Sequence, residues 1–224
     1  MHPATPTMQE NPTVERNDAE PVDTAAFERT LMRTGLSLER LSIEGFAVAL
    51  FGSRAAGCWH PRSDWDVLCV GPLTELQPAR RASALDLIHI SREDVRSPGW
   101  LHGDLAGHVL EYGVWVVGEP SWRAGDVCYP AAVDRKEKRL ASRVGAIARI
   151  WDGLSPSYRK KQARLLRREL QRLSLLQSCL PVPPSARLDS TWTDVGKSVG
   201  YMHARLQRLG TPEGLIAATL RHAD

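Results

Sequence analysis

The sequence predicts an α/β (α+β) core followed by an α-helical C-terminal domain, and three observations carry that prediction. Four short apolar runs of strand length, Phe46–Phe51, Val67–Val70, Leu85–Ile90 and Val114–Val117, fall in the first 130 residues. Beyond Tyr129-Pro130 such runs stop, and apolar residues recur at helical spacing, as at Leu166, Leu170, Leu173 and Leu176. Residues 1–24 hold four prolines and few large apolar groups, too few to offset the entropy of ordering. The expected organisation is a disordered tail over 1–24, an α/β domain over 25–130 and a helical domain over 131–224.

Taken in order, Phe27, Leu31, Leu36 and Leu38 predict a helix from Ala25 to Arg40, with Thr24 as its N-cap and Gly35 as a break near its end. Strand Phe46–Phe51 runs into Gly52-Ser53, where a glycine permits a sharp turn that leaves amide hydrogens to meet an anion. Arg54–Gly57 begins a short helix whose N-terminal end adds partial positive charge nearby. A second strand, Asp66–Val70, stops at Gly71-Pro72. Residues 73–83, with Arg80 and Arg81, read as a helix or turn, and a buried strand follows at Leu85–Ile90. A short helix over Asp104–Leu110 precedes the strand Val114–Val117, which lies between Gly113 and Gly118. The helical half comprises Asp134–Trp151, Tyr158–Leu180, Thr191–Leu209 and Pro212–Arg221, with Pro181–Pro184 and Gly210 as stops.

Composition narrows the classes of function. The chain has 224 residues, 42% hydrophobic and 25% charged, within the ordinary range for a globular protein. No apolar run approaches the roughly 18 to 20 residues of a membrane span, and no secretory leader is visible, so a cytoplasmic protein is expected. Cys58, Cys69, Cys128 and Cys179 are scattered without zinc-ligand spacing and read as free thiols. The net charge of +3 is unevenly spread: Asp134–Arg172 holds thirteen bases against four acids, whereas Met1–Thr24 holds one base against five acids. Such an asymmetry suits an anionic ligand, either a nucleoside triphosphate or a nucleic acid.

The residues that carry chemistry cluster between 46 and 90. Asp64 and Asp66 stand two apart at the head of the second strand, and side chains at i and i+2 on a strand share a face. Both carboxylates therefore enter one space, as metal binding requires. Asp86 interrupts an apolar run, and an ionised carboxylate buried without a partner would be costly there. Trp65 alternates to the other face and is expected in the core, while Trp59 either stacks on a bound ring or is simply exposed.

Gly52-Ser53-Arg54-Ala55-Ala56-Gly57, then Ser63-Asp64-Trp65-Asp66-Val67, then Asp86 resemble the DNA polymerase beta-type nucleotidyltransferase superfamily, close to its minimal and aminoglycoside-modifying members. The resemblance covers roughly residues 40–120. It implies a mixed-sheet nucleotidyltransferase core, with Gly52 and Ser53 on the nucleotide phosphates and Asp64, Asp66 and Asp86 as catalytic residues holding two magnesium ions; Arg54 either neutralises the β or γ phosphate or is a solvated surface side chain. It also implies ATP as the co-substrate, with transfer of AMP to a hydroxyl on a small molecule or on a partner protein, as in antitoxin-like members. One departure is Ala56, which stands where many relatives carry a second arginine. The competing reading makes Asp64 and Asp66 turn residues and Asp86 an arginine's partner. A further alternative is a non-catalytic protein that binds nucleic acid through its basic helices.

Overall fold

A computed structural model describes residues 22–72, 84–190 and 199–221. The expected tail, the 73–83 stretch and the first part of the helix expected at 191–209 lie outside those residues. Two short helices, α1 (Thr24–Met32) and α2 (Leu38–Ile43), replace the single one expected over 25–40. Gly35, at φ +83°, breaks the run earlier than its apolar spacing suggests, and Ser37 caps the second piece through the Arg40 amide. The cap of α1 is Asp23 rather than Thr24: its carboxylate accepts the Ala26 N–H at 2.8 Å.

Next come β1 (Ala47–Phe51), α3 (Gly52–Ala55), β2 (Trp65–Gly71) and β3 (Leu85–Ser91). They are followed by α4 (Pro98–Leu101), α5 (Asp104–Tyr112) and β4 (Val114–Val117). The four strands form one mixed sheet in the order β3-β2-β1-β4. β1 is antiparallel to both β2 and β4, and β2 is parallel to β3. Alternation sorts the strand residues. Val48, Leu50, Trp65, Val67 and Cys69 meet Phe27, Leu31 and Leu41 of α1 and α2 on one face. Ala49, Phe51, Leu68 and Val70 meet Ala106 and Val109 of α5, with Trp122, on the other. β2 is thus covered on both sides, which explains its continuous apolar run. Trp65 lies in the core as expected, only 5% exposed. β3, however, is an edge strand, half-buried along most of its length, and Asp86 is exposed. The expectation of a buried strand there fails because only β2 flanks it in the sheet.

The second half is α-helical: α6 (Pro130–Ala148), α7 (Pro156–Gln177), α8 (Ser185–Ser190), α9 (Val199–Arg208) and α10 (Glu213–Leu220). α6 and α7 start earlier than expected because Pro130 and Pro156 occupy their first turns, where a missing N–H costs nothing. Leu140, Val144, Leu166, Leu170 and Leu173 form their shared core with Met202, Leu206 and Leu215. A separate cluster of Tyr129, Ala132, Leu176, Val182 and Leu188 ties the start of α6 to the end of α7 and to the strap 181–184. The basic face expected on α7 is only partly solvated. Arg167 is buried and donates to the carbonyls of Thr219 and Arg221, fastening α10. No helix among the described residues is long and apolar enough to cross a membrane.

Candidate active site

Three strand ends meet at one edge of the sheet. β1 finishes at Phe51, opposite Asp66 in the antiparallel register, and Asp66 in turn pairs with Asp86 across the parallel β2 and β3. The two carboxylates therefore stand side by side on neighbouring strands. Asp64, exposed, immediately precedes β2. Asp66 is half-buried, and its carboxyl is pushed up to about 6, first by burial and then by the charges of Asp86 and Asp64. All three acids therefore act on one small volume.

Gly52 is required here twice over. Its φ is +73°, a conformation that side-chain-bearing residues avoid, and a Cβ built on it would lie 1.9 Å from Asp66 Oδ2. The absent side chain lets the turn press directly against the carboxylate. The turn alone offers the Gly52 N–H to an anion, and in the structure that N–H has a side-chain acceptor. It donates to Nε2 of His108 on α5, at 3.3 Å.

Arg54 is held in place by its neighbours. Its guanidinium lies 4.8 Å from the Trp59 ring centroid and 4.4 Å from that of Trp65, and Nε donates to the Ser63 carbonyl at 2.9 Å. His60 and Ser63 close the loop between them, the Ser63 N–H donating to the His60 carbonyl at 2.7 Å. Arg54 thus fastens to α3 the loop that delivers Asp64. Trp59 covers that guanidinium while remaining 47% exposed.

A cleft of about 750 Å³ opens above these residues. Gly52, Ser53, Ser63 and Asp66 form one wall, and Arg164 and Arg168 of α7 with Pro184 and Ser185 form the other. α8 reaches over as well: Arg187 donates to the Ala56 carbonyl at 2.8 Å. The far wall was not legible in the sequence. Arg164 and Arg168 are one helical turn apart and so share a stripe, but nothing local shows which stripe of a basic helix meets the sheet. His108 gave still less signal, since its partners lie 56 and 74 residues away.

The acids suit a hard dication in donor type, being all oxygen. Among the described residues no group of three or more acidic, histidine or cysteine side chains forms a ready-made cage. Magnesium takes one or two carboxylates plus substrate phosphates rather than a full protein cage, so an open arrangement fits it. A cation between Asp66 and its neighbours would also relieve the repulsion that adds to burial in raising the Asp66 carboxyl.

Residues 35–102, which contain the Gly-Ser turn and all three aspartates, match the family model described as a nucleotidyltransferase domain. This segment is a nucleotidyltransferase domain of the polymerase beta type. The match ends before His108 and the cationic wall, so the nucleotidyltransferase domain supplies one side of the cleft and later sequence supplies the other. No curated protein matches the chain.

Proposed function

We propose that this nucleotidyltransferase moves AMP from ATP to a hydroxyl of a small molecule or a partner protein. One observation carries the reading: Asp66, paired in register with Asp86, lines with the Gly52-Ser53 turn a cleft that Arg164 and Arg168 also line. The adenine preference and the choice of acceptors follow from the resemblance to minimal and aminoglycoside-modifying members.

Asp64, Asp66 and Asp86 would hold two magnesium ions. When bound, these neutralise the triphosphate and stabilise the attacking and leaving oxygens of an in-line displacement. Ser53, at the start of α3, faces the phosphates. Arg164 and Arg168 bring two positive charges to the opposite side of the same cleft, where they would offset the charge of the triphosphate and the missing arginine at Ala56. Asp86 is the acid exposed at the sheet edge, where an acceptor can approach. Its carboxylate takes the hydroxyl proton as the acceptor oxygen bonds to the α-phosphorus. The bond from that phosphorus to the bridging oxygen breaks, and pyrophosphate leaves.

The test incubates the protein with each of the four α-labelled triphosphates, magnesium and a cell lysate. Label from ATP is expected in small molecules or protein. Transfer from none of the four would overturn the reading, and label confined to nucleic acid would replace the proposed acceptor.

A further inference from the structure

The glycine that lets the turn touch Asp66 is also the residue with the most freedom to leave that position. Something must hold it. The Gly52 N–H donates to His108 Nε2 at 3.3 Å, while His108 Nδ1 lies 2.7 Å from the Val182 carbonyl. A carbonyl can only accept and a backbone amide can only donate, so the imidazole carries its proton on Nδ1 and presents a lone pair at Nε2. The ring cannot easily turn. It lies edge-on to Phe51, with ring centroids 6.1 Å apart and planes at 85°, and tilted against Tyr112 at 5.4 Å. Burial lowers His108 below the usual histidine range, against smaller opposing effects of the Val182 bond and Asp104. The neutral ring, the form able to make both bonds, is therefore favoured.

We infer that His108 is a positioning residue for nucleotide binding: its Nε2 fixes the Gly52 turn against Asp66, and its Nδ1 is anchored on the strap that carries Pro184 and Ser185 into the opposite wall. The inference rests on reading the cleft as a nucleotide site. One imidazole then sets the turn from the α5 side and couples it to the strap, Val182 being two residues from Pro184. Because the turn is held before ligand arrives, binding is spared the cost of ordering a glycine.

Three variants separate the two bonds. His108→Gln can place an amide oxygen where Nε2 lies and so accept from Gly52, while losing Val182. His108→Asn can place an amide N–H where Nδ1 lies, keeping Val182 and losing Gly52. His108→Phe keeps the ring and loses both. With magnesium and a non-hydrolysable ATP analogue, calorimetry should give His108→Gln an affinity within about threefold of wild type. His108→Asn and His108→Phe should bind about tenfold more weakly, the scale of one hydrogen bond. Urea midpoints should fall similarly for His108→Gln and His108→Asn, each lacking one bond, so stability cannot account for a split in affinity. Equal affinities for His108→Gln and His108→Asn, or an unaltered affinity in His108→Phe, would overturn the inference. If His108→Phe does not fold, the comparison of Gln with Asn decides. A wild-type protein that binds no triphosphate would instead defeat the nucleotide reading, and this inference with it.

Discussion

Asp66 carries a consequence for stability that is separate from its role in binding. Its folded carboxyl sits at about 6 against an ordinary 3.8, so between those values the folded state holds more protons than the unfolded one. Stability therefore falls as pH rises through that window, and the full penalty remains above it. Asp66→Asn removes the ionisation and should raise the unfolding free energy by about 1–2 kcal/mol at pH 7.5 in chelator, less than the whole shift because solvent screens the half-buried group, with little gain at pH 4. Urea titrations at the two pH values check this; an Asn variant no more stable at pH 7.5 would contradict the crowding of three acids. Asp86 is different because it is exposed. Asp86→Asn should leave stability within about 0.5 kcal/mol and triphosphate affinity largely intact. Transfer should drop by roughly 100- to 10,000-fold as the proton acceptor is lost. Near-normal transfer would remove Asp86 from the chemistry.

At the scale of elements, the loop between α3 and β2 rests on one arginine. If Arg54 works by stacking between Trp59 and Trp65, Arg54→Lys keeps the charge but loses the planar fork and the Ser63 bond. Arg54→Lys and Arg54→Ala should then raise the KM for magnesium-ATP by similar factors, with kcat retained, and both should alter tryptophan emission. Wild-type behaviour of Arg54→Lys would show that its charge, on a phosphate, is what matters. The strands were legible to within a residue because apolar runs of four to six, too short for a helix of ordinary length, have few alternatives. Helix starts were less legible. Pro130 read as a boundary, whereas it opens α6, and Pro156 opens α7 two residues before the expected start at Tyr158. The short helix α8 falls after three prolines and has no apolar period to reveal it. Asp64, Asp66 and Asp86 were legible as a set from their order, but what joins Asp66 to Asp86 is strand register, which no local spacing encodes.

Across the whole molecule, the cationic wall depends on how α7 is seated against α6. Glu169 is 3% exposed, and its Oε1 lies 2.9 Å from Arg172, 3.7 Å from Arg143 and 3.9 Å from Arg139. Arg172 also donates to Ser185 in the cleft wall, at 2.6 Å. Glu169→Gln should destabilise the protein by about 2–3 kcal/mol, less than a wholly buried pair because the arginines still reach water. It should also weaken triphosphate binding through the displaced wall. Chemical denaturation and calorimetry on this variant test both; unaltered values would mean the wall is seated by apolar packing alone.

The cleft has walls drawn from distant parts of the chain, since Gly52 and Arg164 are separated by more than a hundred residues. At roughly 5–20 residues per second of synthesis, the second wall leaves the ribosome on the order of ten seconds after the first. During that interval the nascent chain carries the aspartates and the turn but neither Arg164 nor Arg168. The capacity to hold a triphosphate should therefore arise late, when α7 docks, so that incomplete chains are poor traps for nucleotide.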